Sequence, residues 1–276
     1  MSAPAPLPLA DRDANLRPVS ARLPFAGVRT ILALILREMS STYGRSAGGY
    51  IWVILEPVLG IALLTAIFSL GFRHPRLGSN FPIYYATGLL PFQFYSIVSS
   101  KVAASIGYSR QLLTYPRVTF VDVIVARLIL NVLTQLIVGC ILLTGIRMAF
   151  ETRTTLDLSR VMLSYSMVTA FALGVGTLNC FLSSMYPLWS RVWGIVTRPL
   201  FLISGTFFLY ESIPEPYRGW LWYNPLMHVT GEMRAAFYFS YDAPYVTPSY
   251  VFGVSGLCLM TGLLLLRRFH RDIREL

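Results

Sequence analysis

Long apolar runs alternate with short polar segments along this chain. Six runs approach the length a bilayer crossing needs, about 20 apolar residues at roughly 1.5 Å rise each. They lie near Tyr50–Phe72, Phe81–Ser100, Val121–Ile146, Val161–Leu182, Leu188–Phe208 and Tyr250–Leu266. None alternates strictly between apolar and polar positions. Helices are therefore predicted rather than barrel strands, the only other structure that satisfies every backbone group in lipid. Ahead of the first run, Val28, Ile31, Leu32, Ile35, Leu36 and Met39 recur at steps of three and four, with Arg29, Thr30, Arg37 and Glu38 between them. This predicts an amphipathic helix over about 28–45, lying on the membrane interface or packed on a soluble partner.

The connections carry their own signals. Between the second and third runs, Ala103–Thr119 is short and basic and has Pro116 near its end, which predicts a stub helix exposed to a soluble partner. After the fifth run the pattern breaks: Pro214, Pro216, Pro225 and Pro244 punctuate a stretch holding Trp220, Trp222 and Tyr223. Within it Leu226–Phe239 is apolar but interrupted by Glu232 and Arg234, the pattern of a re-entrant or interfacial hairpin on the outer side, with Trp and Tyr at headgroup level. Met1–Pro24 is polar, contains five prolines and lacks the apolar core of a signal peptide. The expected fold is an all-α integral membrane protein with six transmembrane helices, an N-terminal amphipathic interfacial helix and a re-entrant or interfacial periplasmic segment before the last span. Residues 1–26 read as a flexible cytoplasmic tail and 27–276 as one transmembrane domain.

Composition agrees with the bilayer as solvent. Charged residues are 13% and mean hydropathy is +0.58, whereas soluble domains carry about 25% charge. The net charge of +10 suggests either nucleic acid or the positive-inside rule. The basic residues lie between apolar runs and form no clustered patch, so no nucleic-acid partner is expected. Sixteen of the 23 Lys and Arg residues fall on the side that holds both termini, which places both ends in the cytoplasm of a multi-pass inner-membrane protein.

Catalytic chemistry finds no footing. Cys140, Cys180 and Cys258 sit in apolar runs, without a paired spacing, and read as small buried hydrophobes. His74, His228 and His270 lack metal-ligand spacing. The single lysine, Lys101, follows Ser100 and not Gly, so no phosphate-cradling loop is present and the chain holds no ATPase site by that route. An integral-membrane transferase would need convergent acids or histidines at one face. A channel or secondary transporter would show paired broken helices.

Polar groups at membrane depth are functional candidates. Glu56, followed by Pro57, stands in the first run, either as a functional group or as a cap pairing with a nearby Arg. Arg127, Asn131 and Gln135 are spaced by four and form one stripe, suited to helix–helix contact or to lining a wet path. Asp122 is placed to pair with Arg117 or Arg127. Tyr50, Trp52, Tyr84, Tyr85, Phe92, Phe94, Tyr95, Trp189 and Trp193 read as core and interfacial belt, or as a smooth lining on which sugar faces slide.

Two segments carry a family resemblance. Arg37-Glu38, then Tyr43-Gly-Arg45-Ser-Ala-Gly-Gly49-Tyr50-Ile-Trp52, then Glu56-Pro57, resembles the N-terminal motif of ABC-2 type export permeases. Asn224-Pro225-Leu-Met-His228, with Glu232, Arg234 and Phe237, is similar to the segment that family carries before its last span. Within the family the chain looks most like the capsular polysaccharide export branch, the KpsM type. The resemblance implies a homodimer joined to two copies of a separate ABC ATPase, which binds the ATP and Mg; this chain holds no cofactor. It implies an ATPase interface on the amphipathic helix and first cytoplasmic loop, here Arg37, Glu38, Arg45, Arg110, Tyr115, Pro116 and Arg117. It also implies a lipid-linked anionic polysaccharide as cargo, handed to a periplasmic co-polymerase adaptor and an outer-membrane channel. The same architecture exporting O-antigen, teichoic acid or a small lipophilic compound is the nearest alternative.

Overall fold

A computed structural model describes residues 26–43, 49–112, 118–151 and 154–270, and every regular element among them is helical. The helices are α1 (Ala26–Tyr43), α2 (Gly49–Gly71), α3 (Phe81–Ala103), α4 (Ser105–Tyr108) and α5 (Phe120–Ala149). They continue as α6 (Leu158–Met185), α7 (Trp189–Leu202), α8 (Tyr217–Trp222), α9 (Pro225–Phe237) and α10 (Pro248–Arg268), with one 3-10 turn at Tyr210–Ser212. Ile51–Gly71 of α2 and the whole of α5, α6 and α10 are long and apolar enough to cross a membrane. The chain is a multi-pass membrane protein. The tail expected at 1–26 lies outside the described residues except for Ala26.

Helix α3 occupies the second predicted run but is more polar than its lipid-facing neighbours, and the reason is its position. It runs through the middle of the bundle against α2, α5, α6 and α9, and every residue from Ile83 to Phe92 is buried. A helix wrapped in protein can carry Thr87 and Ser99 fully buried and Gln93 and Ser96 half-buried, while Ser100 near its end is exposed. The helices of the bundle approach one another closely through small residues. At Gly262 of α10 a Cβ would lie 2.8 Å from the Leu178 nitrogen of α6, and at Gly176 of α6 a Cβ would lie 2.8 Å from Val102 of α3.

The fifth predicted run departs from expectation. The run 188–208 yields a helix of only 14 residues, α7, which ends at Leu202. At roughly 1.5 Å per residue it reaches about 21 Å, short of the hydrocarbon thickness. Pro199 weakens its last turn, and Gly205 at φ +80° turns the chain away. The freed backbone is satisfied by protein: Asn224 Nδ2 donates to the Ile203 carbonyl over 2.9 Å, and Arg234 donates to the Thr206 and Phe208 carbonyls. The returning segment is helix α9, all of whose residues are buried, so Leu226–Phe239, expected as a re-entrant or interfacial hairpin, is largely covered by protein; its last residue, Phe239, is exposed. Of the three cysteines expected to be buried, Cys180 is buried and Cys258 half-buried, but Cys140 is exposed beside Ile137 and Ile141 on the outward face of α5.

Candidate functional site

Three arrangements stand out, at different levels of α3. The first lies where α3 ends. Arg127 Nε of α5 is 2.9 Å from the Glu38 carboxylate of α1, and both side chains are under a tenth exposed. Arg127 Nη1 donates to the Lys101 carbonyl over 3.0 Å, and its guanidinium carbon lies 4.2 Å from the centre of the Tyr108 ring. Asp122 is not its partner. That carboxylate accepts from the Thr119 N–H over 2.9 Å and hydroxyl over 2.7 Å, while Thr119 Oγ1 caps the Asp122 N–H, a capping box that starts α5.

The second arrangement is a cavity of about 630 Å³ between α3, α6 and α7. Its wall combines rings (Phe92, Trp193, Phe201) with hydroxyls (Ser96, Ser100, Ser183, Ser190, Thr197), the Asn179 amide and Arg198. Asn179 is buried; its Oδ1 accepts from Trp189 Nε1 over 2.8 Å, and its Nδ2 has no hydrogen-bond partner among the described residues. A buried donor without a partner is costly unless something else supplies the acceptor. From this cavity a series of rings leads along the bundle. Phe92 and Phe201 have centroids 4.9 Å apart, Phe201 and Phe207 5.0 Å, Phe207 and Phe68 6.1 Å, and Phe68 and Tyr85 5.2 Å. The series ends at a smaller cavity of about 90 Å³ lined by Tyr84, Tyr85, His74 and Arg76 among others.

The third arrangement is the polar interior of α9. Asn224 caps the helix by accepting from the Leu226 N–H over 3.1 Å, with Pro225 at the first helical position where its missing N–H costs nothing. His228 is fully buried; Nδ1 accepts from the Thr247 N–H over 3.1 Å and Nε2 is 2.8 Å from the Trp222 carbonyl, so the ring is neutral with its proton on Nε2. Tyr241 in the following loop donates to Glu211, and burial pushes its hydroxyl far above the usual tyrosine range; burial likewise raises Tyr245 to about 12.

The sequence-derived candidates distribute over these places. Glu38 and Arg127, expected in different roles, meet in one buried pair. Asn131 and Gln135 are also buried, and Asn131 Nδ2 donates to the Arg127 carbonyl of its own helix over 2.8 Å. Arg37 and Arg110 are exposed. Glu56 is exposed on α2 and forms no ion pair among the described residues. Trp52 is exposed beside it. Phe92 and Trp193 line the larger cavity, and Tyr84 and Tyr85 the smaller one. Phe94 and Tyr95 are packed in the core, and Trp189 stacks on Trp193 with centroids 6.3 Å apart. Arg45, Tyr115, Pro116 and Arg117 lie outside the described residues, and Tyr50 is described as part of α2 only by its backbone. Sequence reasoning missed Phe68, Phe201 and Phe207 as a connected series. It also missed the hydroxyls of the cavity, whose available signal was Ser and Thr at one depth in three separate runs.

Comparison with known proteins gives a consistent picture. A family model described as ABC-2 type transporter matches residues 29–238. The polysialic acid transport protein KpsM of Escherichia coli is 30% identical over 238 residues, which is 86% of this chain and 92% of that protein. The capsule polysaccharide export inner-membrane protein CtrC of Neisseria meningitidis is 23% identical over 245 residues, 89% of this chain and 92% of that protein. A shorter stretch of 87 residues, 32% of this chain and 33% of the relative, is 31% identical to the O-antigen export system permease protein RfbA of Myxococcus xanthus.

Proposed function

The chain belongs to the ABC-2 type transporter family, and from that premise we propose that it is the permease subunit of an ATP-driven exporter carrying a lipid-linked capsular polysaccharide across the bacterial inner membrane. The observation that carries the cargo class is the series of rings from Phe92 to Tyr85 that joins the two cavities. Sugar C–H faces pack on aromatic rings without fixed hydrogen bonds, so a polymer can advance in small steps. At the larger cavity the hydroxyls and the Asn179 amide suit sugar hydroxyls, and Arg198 suits a phosphate or an acidic sugar.

In this reading six segments cross the membrane, with α3 inside the bundle and α7 continued by the covered turn that follows it. Both termini face the cytoplasm, following the Lys and Arg asymmetry. The exposed apolar positions of α1 (Val28, Leu32, Leu36 and Met39) rest on the lipid interface. A second copy of the chain completes the path, and two ABC ATPase subunits supply ATP and Mg chemistry. Arg37, Glu38, Arg45, Arg110, Tyr115, Pro116 and Arg117 belong to the side these subunits grip. Of the remaining path candidates, Tyr50, Trp52, Glu56 and Trp189 stand near or between the two copies, while Asn131 and Gln135 lie buried within each protomer. Asn224, Pro225, His228, Glu232 and Arg234 hold the outer segment in place, and the cargo passes on to a periplasmic co-polymerase adaptor and an outer-membrane channel. Export of O-antigen is the second reading, favoured by the similarity over a third of the chain to an O-antigen permease.

The test is export by cells carrying Phe201→Ala or Phe207→Ala in place of the wild-type gene. Surface polymer is expected to fall about five- to tenfold, the scale of one lost ring contact per step, while the permease still co-purifies with an ABC ATPase. Normal surface capsule in both variants removes the sliding path. Loss of O-antigen instead of capsule on deletion of the gene selects the second reading.

A further inference from the structure

We infer that Arg127, Glu38 and Tyr108 are positioning residues that make the interfacial helix α1 travel together with the stub helix α4. The inference rests on the permease reading and names the internal link that reading leaves open.

Four parts of the chain converge on one guanidinium. Arg127 stands on the second turn of α5; its Nε is 2.9 Å from Glu38 of α1, its Nη1 reaches the Lys101 carbonyl near the end of α3 over 3.0 Å, and its face covers the Tyr108 ring of α4 at 4.2 Å. An arginine offers a planar fork and a stacking face, and all of these are engaged here; a lysine cannot reproduce the set. The pair is buried and joins residues 89 positions apart. In a low-dielectric setting such a charge pair resists sliding, because half-broken geometry leaves a buried charge uncompensated.

The surroundings direct motion through this link. Among the described residues, helix α1 packs chiefly on α5 and touches α2 only lightly, while Val28, Leu32 and Leu36 are exposed on its other side. Its hold on the bundle therefore runs along the side that carries Glu38. Beside the pair only about 10 Å³ of free space remains among Leu34, Arg37, Tyr108, Ser109 and Val123, about the least that admits one water. Helix α4 is a single turn whose Gly107 and Tyr108 are exposed, so a force on it from outside the bundle passes through the Tyr108 ring to Arg127 and on to α1. A protein that grips α4 thus sets the position of α1 without touching it.

The experiment uses the permease purified with its ATPase, in a background lacking the native cysteines. Spin labels at Leu36→Cys on α1, Gly107→Cys on α4 and Leu264→Cys on α10 are all at exposed positions. Between the nucleotide-free and ATP-trapped states, the α1–α4 distance is expected to stay constant while each shifts against α10. Tyr108→Leu is expected to broaden the α1–α4 distance and lower cargo moved per ATP about five- to tenfold, with ATP hydrolysis retained. Tyr108→Phe keeps the ring and restores both. A wild-type α1–α4 distance that changes on trapping overturns the link, and so does a Tyr108→Leu complex whose distances and cargo-to-ATP ratio are those of wild type. Absence of ATP-dependent export by the wild-type complex would instead overturn the permease reading.

Discussion

The guanidinium of Arg234 lies 4.5 Å from the centre of the Tyr84 ring, joining the buried helix α9 to the central helix α3. The same group donates to the Phe208 carbonyl over 2.8 Å and the Thr206 carbonyl over 3.1 Å. It therefore holds open a break in the chain that lipid would not tolerate. Replacing Arg234 by Leu leaves one buried and one half-buried carbonyl without this donor and is expected to cost about 2–4 kcal/mol. Arg234→Lys keeps the charge but loses the fork and the stacking, so a smaller loss is expected. Denaturant or thermal unfolding in detergent measures both. A Leu variant as stable as wild type would remove the role assigned to this contact.

Gly205 shows how the break is shaped. Its φ of +80° is one that side chains rarely adopt, and a Cβ there would lie 2.8 Å from Met227 Sδ and 2.9 Å from Thr230 Oγ1. Gly205→Ala is expected to lower stability by about 1–3 kcal/mol, seen as a lower Tm. Gly253→Ala on α10, where a Cβ meets nothing within 4 Å, is the matched control and should leave Tm unchanged or slightly raised.

These two residues also mark how far the sequence could be read. Apolar periodicity located the helices because lipid and core impose the same demand on long runs, and α2, α5, α6 and α10 answer it directly. It overextended α7, since Pro199 and Gly205 act through backbone geometry that hydropathy does not register. Asn224-Pro225 was visible as a motif, but its work as cap and first helical residue came only with the fold. The Glu38–Arg127 pair joins residues 89 positions apart, and no local pattern reports such a distance. Aromatic residues were legible as abundant, yet only geometry separates Phe94 in the core from Phe92 on a cavity wall.

Alkaline pH should weaken the end of the bundle that carries Tyr241 and Tyr245. Burial raises the Tyr245 hydroxyl from its ordinary 10.0 to about 12, and raises Tyr241 further still. A folded-state pKa above the unfolded value means the folded form holds its proton more tightly. The stabilisation is thus complete below about pH 10 and is lost as pH rises toward and through the folded values. Stability in detergent is expected to be flat in these groups from neutral pH to about pH 9 and to decline above about pH 10. Tyr245→Phe should remove part of that decline. An identical slope in the variant would assign the alkaline loss to other groups.

The outward face of α2 poses the last question, because it mixes strong hydrophobes with a carboxylate. Trp52, Leu59, Leu63, Ile67 and Leu70 are all more than half exposed, and Glu56 stands among them at helical spacing. An ionised carboxylate facing hydrocarbon costs about 2.5–3.5 kcal/mol on insertion scales, so this face is expected to be covered or wetted rather than left to lipid. The proposed second copy supplies that cover, with Glu56 beside the cargo path and Leu63 and Leu70 against the neighbouring protomer. Single cysteines at Leu63 and Leu70 in a background without Cys140, Cys180 and Cys258 should then yield disulfide-linked dimers in native membranes, whereas a cysteine at Met162, exposed on α6, should not. Glu56→Leu should leave the cross-linking in place and leave export of an acidic polymer unchanged or raised, since it removes a carboxylate that repels such cargo. Cross-linking at Met162 but at neither α2 position would put the dimer on another face and return Glu56 to a lipid-exposed charge needing a different explanation.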